Sequence, residues 1–385
     1  MIDTMKNFAV FKRLLKKLYM HLCYITRPRN RNTVYFASFR GQYSDSPRAI
    51  SECLHLLAPE VDIIWLVSPK YAKYVPRYVK KVYKPMQALK AQAQAKVWVL
   101  NYTYRKKSGI YKGKDLYYIQ TWHGDRGIKA IGYMTEISGE EGYDGIDMSE
   151  CDLFVAASKY GVKKAQNGLR YNGEVIMEGM PRNDKLINLD LYRSDAAMIK
   201  KSLSIGSDIK ILLYAPTYRE GTINQMCAID IPQTIESLES NGEKWVCLIR
   251  SHSLSKGIKV NRSGNCPFLD VSSYPDMADL LLISDLLITD YSSCAGDFIL
   301  TKKPVVLVHF DRKEYQERGR NLWIDPEGVG YLVVKNQNEL NRILSSLYTY
   351  DHKVIDENIM RYYDTYESGK ASEIIAKKIL SIIGN

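Results

Sequence analysis

The chemistry-bearing residues of this chain gather at the ends of short apolar runs. Asp290-Tyr291-Ser292-Ser293 follows Leu286-Leu287-Ile288 and precedes a helical pattern through Ala295, Phe298, Ile299 and Leu300. Hydroxyls and unpaired N–H groups at a helix start favour a phosphate. The same serines would also serve as plain helix caps. The run from Lys210 to Ala215 leads into Thr217 and Arg219, and that from Trp245 to Ile249 leads into Arg250 and His252. The run from Leu116 to Trp122 leads into His123, and that from Val175 to Gly179 into Arg182. Arginine forks suit phosphate oxygens, and a histidine exchanges protons near neutral pH. Taken singly, each has an ordinary structural use: an ion pair for Arg219 or Arg250, a cap for Asp290, a loop brace for Arg182, a fold contact for His123. Taken together they share one end of their strands, and open parallel sheets bind ligands at that edge.

The elements that must carry these residues alternate. Strand-like runs start at Thr33, Val61, Val97, Leu116, Leu153 and Val175, and then again from Lys210, with helical patterns between them. Tyr71 to Val79 and Met86 to Ala95 read as helices. Such alternation predicts parallel α/β sheets, and 385 residues suit two domains. Ser204 to Asp208, with Gly and Ser at a change of pattern, is the expected linker. The expected division is a basic amphipathic segment at 1–31, a first Rossmann-like domain at 32–205, a second at 206–354, and terminal helices at 355–385 packing back on the first.

Composition narrows the class. A hydrophobic content of 45% supports a sizeable core. No apolar run reaches the length of a membrane span, and a signal-peptide pattern is absent. The seven cysteines are dispersed without a CxxC, which fits a reducing compartment and no structural metal. GxGxxG after the first strand, GxxxxGK[ST], GxSxG and kinase motifs are all missing.

The net charge is +11 and the isoelectric point about 9.0. Residues 1–31 hold eight bases against the single acid Asp3. Phe8, Phe11, Leu15, Leu18 and Leu22 recur at helical spacing, with Lys12, Arg13, Lys16 and Lys17 beside them. A basic amphipathic helix of this kind reads as lying on an anionic membrane surface. A helix docked on the domain, with a solvated basic face, has the same pattern. The 29 tyrosines are spread through the chain, which argues against a nucleic-acid partner.

Five segments in order, Gln120-Thr121-Trp122-His123-Gly124, Gly179-Met180-Pro181-Arg182-Asn183-Asp184, Tyr214-Ala215-Pro216-Thr217-Tyr218-Arg219, Arg250-Ser251-His252 and Thr289-Asp290-Tyr291-Ser292-Ser293, resemble the CDP-glycerol glycerophosphotransferase family. That family includes teichoic acid primases and polymerases and related capsule polymerases. Asp297-Phe298, Lys303-Pro304 and Gly369-Lys370-Ala371-Ser372-Glu373 also look like family positions. The resemblance implies a GT-B fold, two Rossmann-like domains facing across a cleft, and peripheral attachment at the cytoplasmic face of the membrane.

It further implies transfer of glycerol phosphate or ribitol phosphate from a CDP-polyol donor to a hydroxyl, with CMP released. The acceptor would be an undecaprenyl-diphosphate-linked saccharide or a growing polymer. His123 is then the expected general base and His252 a second catalytic residue, with Arg250, Asp290, Ser292, Ser293, Thr217, Arg219 and Arg182 around the diphosphate. No cofactor is demanded, although Mg²⁺ is compatible with a diphosphate. The family pattern usually continues His-Gly-Thr-Pro and places proline after the second histidine; here Asp125-Arg126 and Ser253 stand instead. A GT-B glycosyltransferase using a nucleotide sugar is the alternative of the same architecture.

Overall fold

The computed structural model describes residues 2–27, 32–103, 109–135, 148–217, 229–240, 242–251, 268–318 and 321–384, with side chains of the first helix described from Val10 onward. Two sheets form the frame. The first contains β1 (Thr33–Ala37), β2 (Asp62–Leu66), β3 (Lys80–Val82), β4 (Val97–Leu100), β5 (Tyr117–Gln120), β6 (Leu153–Ala156) and β7 (Glu174–Met177), in the order β3-β2-β1-β4-β5-β6-β7. The second contains β8 (Lys210–Ala215), β9 (Trp245–Ile249), β10 (Phe268–Asp270), β11 (Leu286–Thr289), β12 (Val305–Val308) and β13 (Leu332–Val334), in the order β10-β9-β8-β11-β12-β13.

The pairs are parallel throughout. This is why β4, β6, β9, β11 and β12 are unbroken apolar runs: each is buried along its whole length. In both sheets the strand order reverses beside the first strand, between β1 and β4 and between β8 and β11. Doubly wound sheets open a crevice at that point.

The region after β2 departs from the sequence reading. In place of a helix from Tyr71 to Val79 there is a short 3-10 helix, Pro69–Tyr74, followed by an extended return into β3. Pro76 lacks the N–H that a continuing helix would need. The apolar residues Tyr71, Val75 and Val79 are still buried.

Each face of the first sheet has its own core. One packs under the helix Asp45–Leu57, through Ile50 and Leu54; the other packs under Pro85–Gln94 and the first helix Ile2–Ile25, through Met20 and Cys23. The helix Arg193–Ser202, which precedes the expected linker, sits with the second domain: Ala196, Ile199 and Leu203 pack on that core. Of the two terminal helices, His352–Tyr363 also packs in the second domain, through Ile359 and Tyr363. Tyr363 also meets the Tyr160 ring of the first domain at 4.7 Å, and Ala371–Ile383 crosses back fully, burying Ile375, Ala376 and Ile379 in the first domain against Asp45–Leu57. Each buried isoleucine contributes about 1.5–3 kcal/mol.

Candidate active site

His123 leaves β5 through a forced turn. Trp122 adopts φ +49, a left-handed conformation costly for a bulky side chain. Its N–H donates to Gln120 Oε1 at 2.8 Å, which holds the turn. The His123 ring then stacks on Trp122, with centroids 4.4 Å apart, and lies 5.8 Å from the ring of Phe39. His123 Nδ1 is 2.7 Å from the carbonyl oxygen of Asn101. A carbonyl only accepts, so Nδ1 carries a proton, and in the neutral ring Nε2 is then the acceptor. Asn101 is itself held: its Oδ1 accepts from Phe39 N at 2.9 Å, and its Nδ2 donates to Asp45 Oδ2 at 2.9 Å.

Asp45 links this group to the other domain. Its Oδ1 accepts from Arg182 Nη1 at 3.1 Å. Arg182 reaches on to Asp297, with Nε 3.1 Å from Oδ2 and Nη2 3.3 Å from Oδ1. Asp297 also accepts from Asn183 Nδ2 at 2.9 Å and from Arg126 Nη2 at 3.3 Å. Arg126 is fully buried and donates through Nε to the Gly296 carbonyl at 2.7 Å and through Nη2 to Glu367 Oε1 at 2.6 Å. A continuous network therefore runs from the buried Arg126 and Asp297 through Arg182, the half-buried Asp45, and Asn101 to the exposed His123.

Burial pushes Asp297 up, but Arg182 and Arg126 outweigh it and hold the carboxyl below its ordinary value. Glu367 goes the other way: burial raises it, and Arg126 and Asn183 offset only part of that rise. Arg182 thus lies behind the cleft, committed to carboxylates.

The two domains meet tightly at the histidine loop. Ser293 Oγ donates to the His123 carbonyl at 3.5 Å. Gly124 permits that approach, since a Cβ there would lie 3.1 Å from Ser293 Oγ; one on Gly296 would lie 2.5 Å from Arg126 Cβ. Asp125 anchors the loop to its own domain by accepting from Ala157 N at 3.0 Å and from the Ser158 hydroxyl. Ala130 N and Trp323 N donate to carbonyls across the interface, on Asn321 and Ile128.

On the second-domain side, Asp290 and Thr217 fasten β11 to β8. Asp290 accepts from Thr217 N at 2.9 Å, from the Thr217 hydroxyl and from Tyr291 N. Ser292 and Ser293 start the helix Cys294–Phe298, and the Ser293 side chain makes no capping bond. Arg250 donates to the Tyr274 carbonyl at 2.8 Å, and desolvation lowers its pKa from the ordinary value. Among the described residues no carboxylate comes within ion-pair distance of it, which leaves a desolvated cation suited to an anion. Tyr71 of the first domain is near enough for Arg250 to bear on its hydroxyl. Arg219 and His252 lie outside the described residues.

Sequence reasoning passed over Asn101 and Asp45 as parts of this site and noted Arg126 only as a basic residue beside His123 and a departure from the family pattern. It also passed over His309, buried at the end of β12 and stacked 4.4 Å from the Tyr291 ring. Among the described residues no cluster of His, Cys, Asp and Glu could hold a metal ion.

The first helix is both docked and amphipathic. Met20 and Cys23 are buried, and Tyr24 donates to the Tyr111 carbonyl at 2.8 Å. The opposite stripe, Phe11, Leu14, Leu15, Leu18, Leu22 and Ile25, stays exposed, with Leu18 at 57% and Ile25 at 67%. Lys12, Lys16 and Lys17 are exposed beside it and Arg13 is half-buried. The Phe8 side chain is outside the described set. No helix among the described residues is long and apolar enough to cross a membrane.

The chain is 31% identical over 402 residues to a teichoic acid glycerol-phosphate transferase of Staphylococcus aureus (strain NCTC 8325 / PS 47), covering 96% of this chain and 100% of the relative. It is 30% identical to a teichoic acid poly(glycerol phosphate) polymerase of Bacillus subtilis (strain 168), over 98% of this chain and 52% of the relative, so it spans about half of that polymerase. A solved structure of the wall teichoic acid polymerase TagF, a variant soaked with CDPG, superposes with a TM-score of 0.82 and 25% identity, covering 100% of this chain and 98% of that one. A UDP-GlcNAc 2-epimerase from Neisseria meningitidis shares the fold alone, with a TM-score of 0.54 and 14% identity. Residues 19–381 match the family described as CDP-Glycerol:Poly(glycerophosphate) glycerophosphotransferase, and the chain belongs to that family.

Proposed function

We propose that the protein transfers glycerol phosphate from CDP-glycerol to a hydroxyl of a lipid-linked saccharide or growing polymer in teichoic acid synthesis, releasing CMP. The observation that carries this reading is His123, held as the Nδ1–H tautomer by Asn101 and seated against Ser293 of the facing domain. The acceptor hydroxyl gives its proton to His123 Nε2 as its oxygen bonds to the glycerol-bearing phosphorus. The bond from that phosphorus to the bridging oxygen breaks, and CMP leaves with the electron pair.

Arg250, Ser292 and Ser293 take the diphosphate charge, which grows on the leaving phosphate. Asp290 and Thr217 hold the turn in shape. Arg182 acts at one remove, through Asp45 and Asn101. His252 and Arg219, two positions on from Arg250 and Thr217, are assigned to the same diphosphate. The transferase of Staphylococcus aureus, matched along its full length, supports glycerol as the transferred group; the ribitol-phosphate polymerase TarK of that species matches over 68% of this chain.

The first helix supports peripheral attachment to an anionic membrane, where the lipid-linked acceptor resides: its exposed apolar stripe has basic residues alongside. The test of the chemistry is His123→Ala. CMP release should fall by about 10²–10⁴-fold, while CDP-glycerol binding by calorimetry stays close to wild type. Near-normal turnover in this variant removes His123 from the role of base.

A further inference from the structure

A second concentration of positive charge lies away from the first helix. Residues 69–84 contain Lys70, Lys73, Arg77, Lys80, Lys81 and Lys84, four tyrosines and no acid. The fold turns this stretch into a surface strip. Tyr71, Val75, Val79 and Val82 point into the core, while Lys70, Lys73, Arg77, Lys80 and Lys84 are exposed with Tyr74, Tyr78 and Tyr83 among them. Among the described residues, none of these cations has a carboxylate within ion-pair distance. Glu52, the acid bearing on Tyr78, is engaged by Arg48 at 2.9 Å.

The strip begins at the reaction centre. Phe39 lies against the His123 ring, and the Arg40 guanidinium sits 5.0 Å from the Phe39 ring centroid. Gln42 Nε2 donates to the Tyr71 hydroxyl at 3.1 Å, and Lys70 Nζ lies 4.6 Å from the Tyr71 ring centroid. Lys73, Arg77 and Lys80 continue from there to β3 at the sheet edge. Tyr74 meets Tyr274 of the second domain at 6.5 Å, so this end of the strip forms part of the cleft mouth.

We propose that this strip is the track for the acceptor: a polyanionic chain of polyol phosphodiesters, laid along Lys70, Lys73, Arg77, Lys80 and Lys84 with its terminal hydroxyl delivered to His123. The assignment rests on the proposed function above. Exposed cations matched to regularly spaced phosphates bind by counterion release, as on nucleic acids. A membrane is the weaker occupant. Tyr71, Val75 and Val79 pack on the sheet face that carries Asp45–Leu57, whereas Val82 turns to the other face, that of the first helix with its exposed leucines. The strip itself exposes cations and tyrosines; its valines are buried.

The test uses the full chain carrying Lys73→Gln, Arg77→Gln, Lys80→Gln and Lys84→Gln together, with fluorescein-labelled poly(glycerol phosphate) as the probe. Wild type should bind the polymer with an affinity that falls steeply with salt, and the quadruple variant should bind at least roughly 10-fold more weakly with a flatter salt dependence. CMP release with a lipid acceptor bearing one glycerol phosphate should stay within about twofold of wild type, because the base and the diphosphate groups are intact. Unchanged polymer affinity overturns the track. So does unchanged polymer affinity joined to lost binding of phosphatidylglycerol vesicles, which would make the strip a membrane face. If wild type releases no CMP from CDP-glycerol with either acceptor, the proposed function fails, and the polymer-binding arm still decides the strip.

Discussion

Replacing Asp297 with Asn tests whether the interdomain network is held by that carboxylate. Asp297 accepts four hydrogen bonds from Arg126, Arg182 and Asn183, all of them buried. An amide of the same shape offers one acceptor oxygen and turns an NH₂ toward two guanidinium groups. Breaking a buried ion pair from one side costs about 3–5 kcal/mol, because the remaining charge stays desolvated. Glu367→Gln should behave differently. Its carboxyl is already penalised by burial beyond what Arg126 and Asn183 return, but Oε1 accepts from Arg126 and Asn183 and Oε2 from Met180 N, so the amide leaves one side unmet and its cost should be about 1–3 kcal/mol.

Urea unfolding followed by tryptophan fluorescence at pH 7.5 compares the two variants. The Asp297 contribution has a defined pH dependence. Its folded pKa is depressed, so the stabilisation is complete above the ordinary carboxylate range and disappears as pH falls through the lowered value. Asp297→Asn should also lower kcat, by roughly tenfold for each ~1.4 kcal/mol of lost alignment, since the network ends on His123. An Asp297→Asn protein within about 1 kcal/mol of wild type, or a costlier Glu367→Gln, refutes the reasoning.

Two further outcomes follow from other parts of the molecule. Burial pushes Asp356 up to about 8, with Lys302 opposing, and its Oδ2 has no hydrogen-bond partner. The folded state then keeps a proton that the unfolded chain releases, so this residue's effect on stability worsens as pH rises from about 4 through about 8. Asp356→Asn should therefore be stabilised by roughly 2–5 kcal/mol relative to wild type at pH 8.5 and nearly unchanged at pH 4; thermal melts showing the same difference at both pH values would exclude this. On the first helix, Leu18→Glu with Leu22→Glu should leave the melting temperature within a few degrees, because both side chains are already solvent-exposed. The same pair should abolish sedimentation with phosphatidylglycerol vesicles, and full retention on vesicles would end the helix's assignment to the membrane.

The strand ends were legible because buried parallel strands are unbroken apolar runs and their polar exits mark the binding edge. That logic places His123, Arg250, Asp290 and the two serines at one edge of their sheets. It misjudged the neighbours of Arg182, for a physical reason: an arginine bound for a buried carboxylate looks the same in sequence as one awaiting a phosphate. The partners Asp45, Asn101, Arg126, Asp297 and Glu367 are scattered over more than three hundred positions and carry no shared spacing. Asp45 also adopts φ +65, which no local pattern announces for a non-glycine residue. The first helix showed a different limit. Its periodicity located an apolar stripe correctly but could not say which stripe the domain would claim, and the domain took Met20 and Cys23.

The crossing of Ala371–Ile383 onto the first domain has a consequence for biogenesis. The amino-terminal lobe is translated early, yet Ile375, Ala376 and Ile379 belong to its interior. While the ribosome is still making the other lobe, the groove beside Asp45–Leu57 stands open to solvent, and it is filled only when Ala371–Ile383 emerges. A nascent chain of this protein therefore cannot complete its lobes one after the other, and a stop near residue 370 would damage the lobe made earlier of the two.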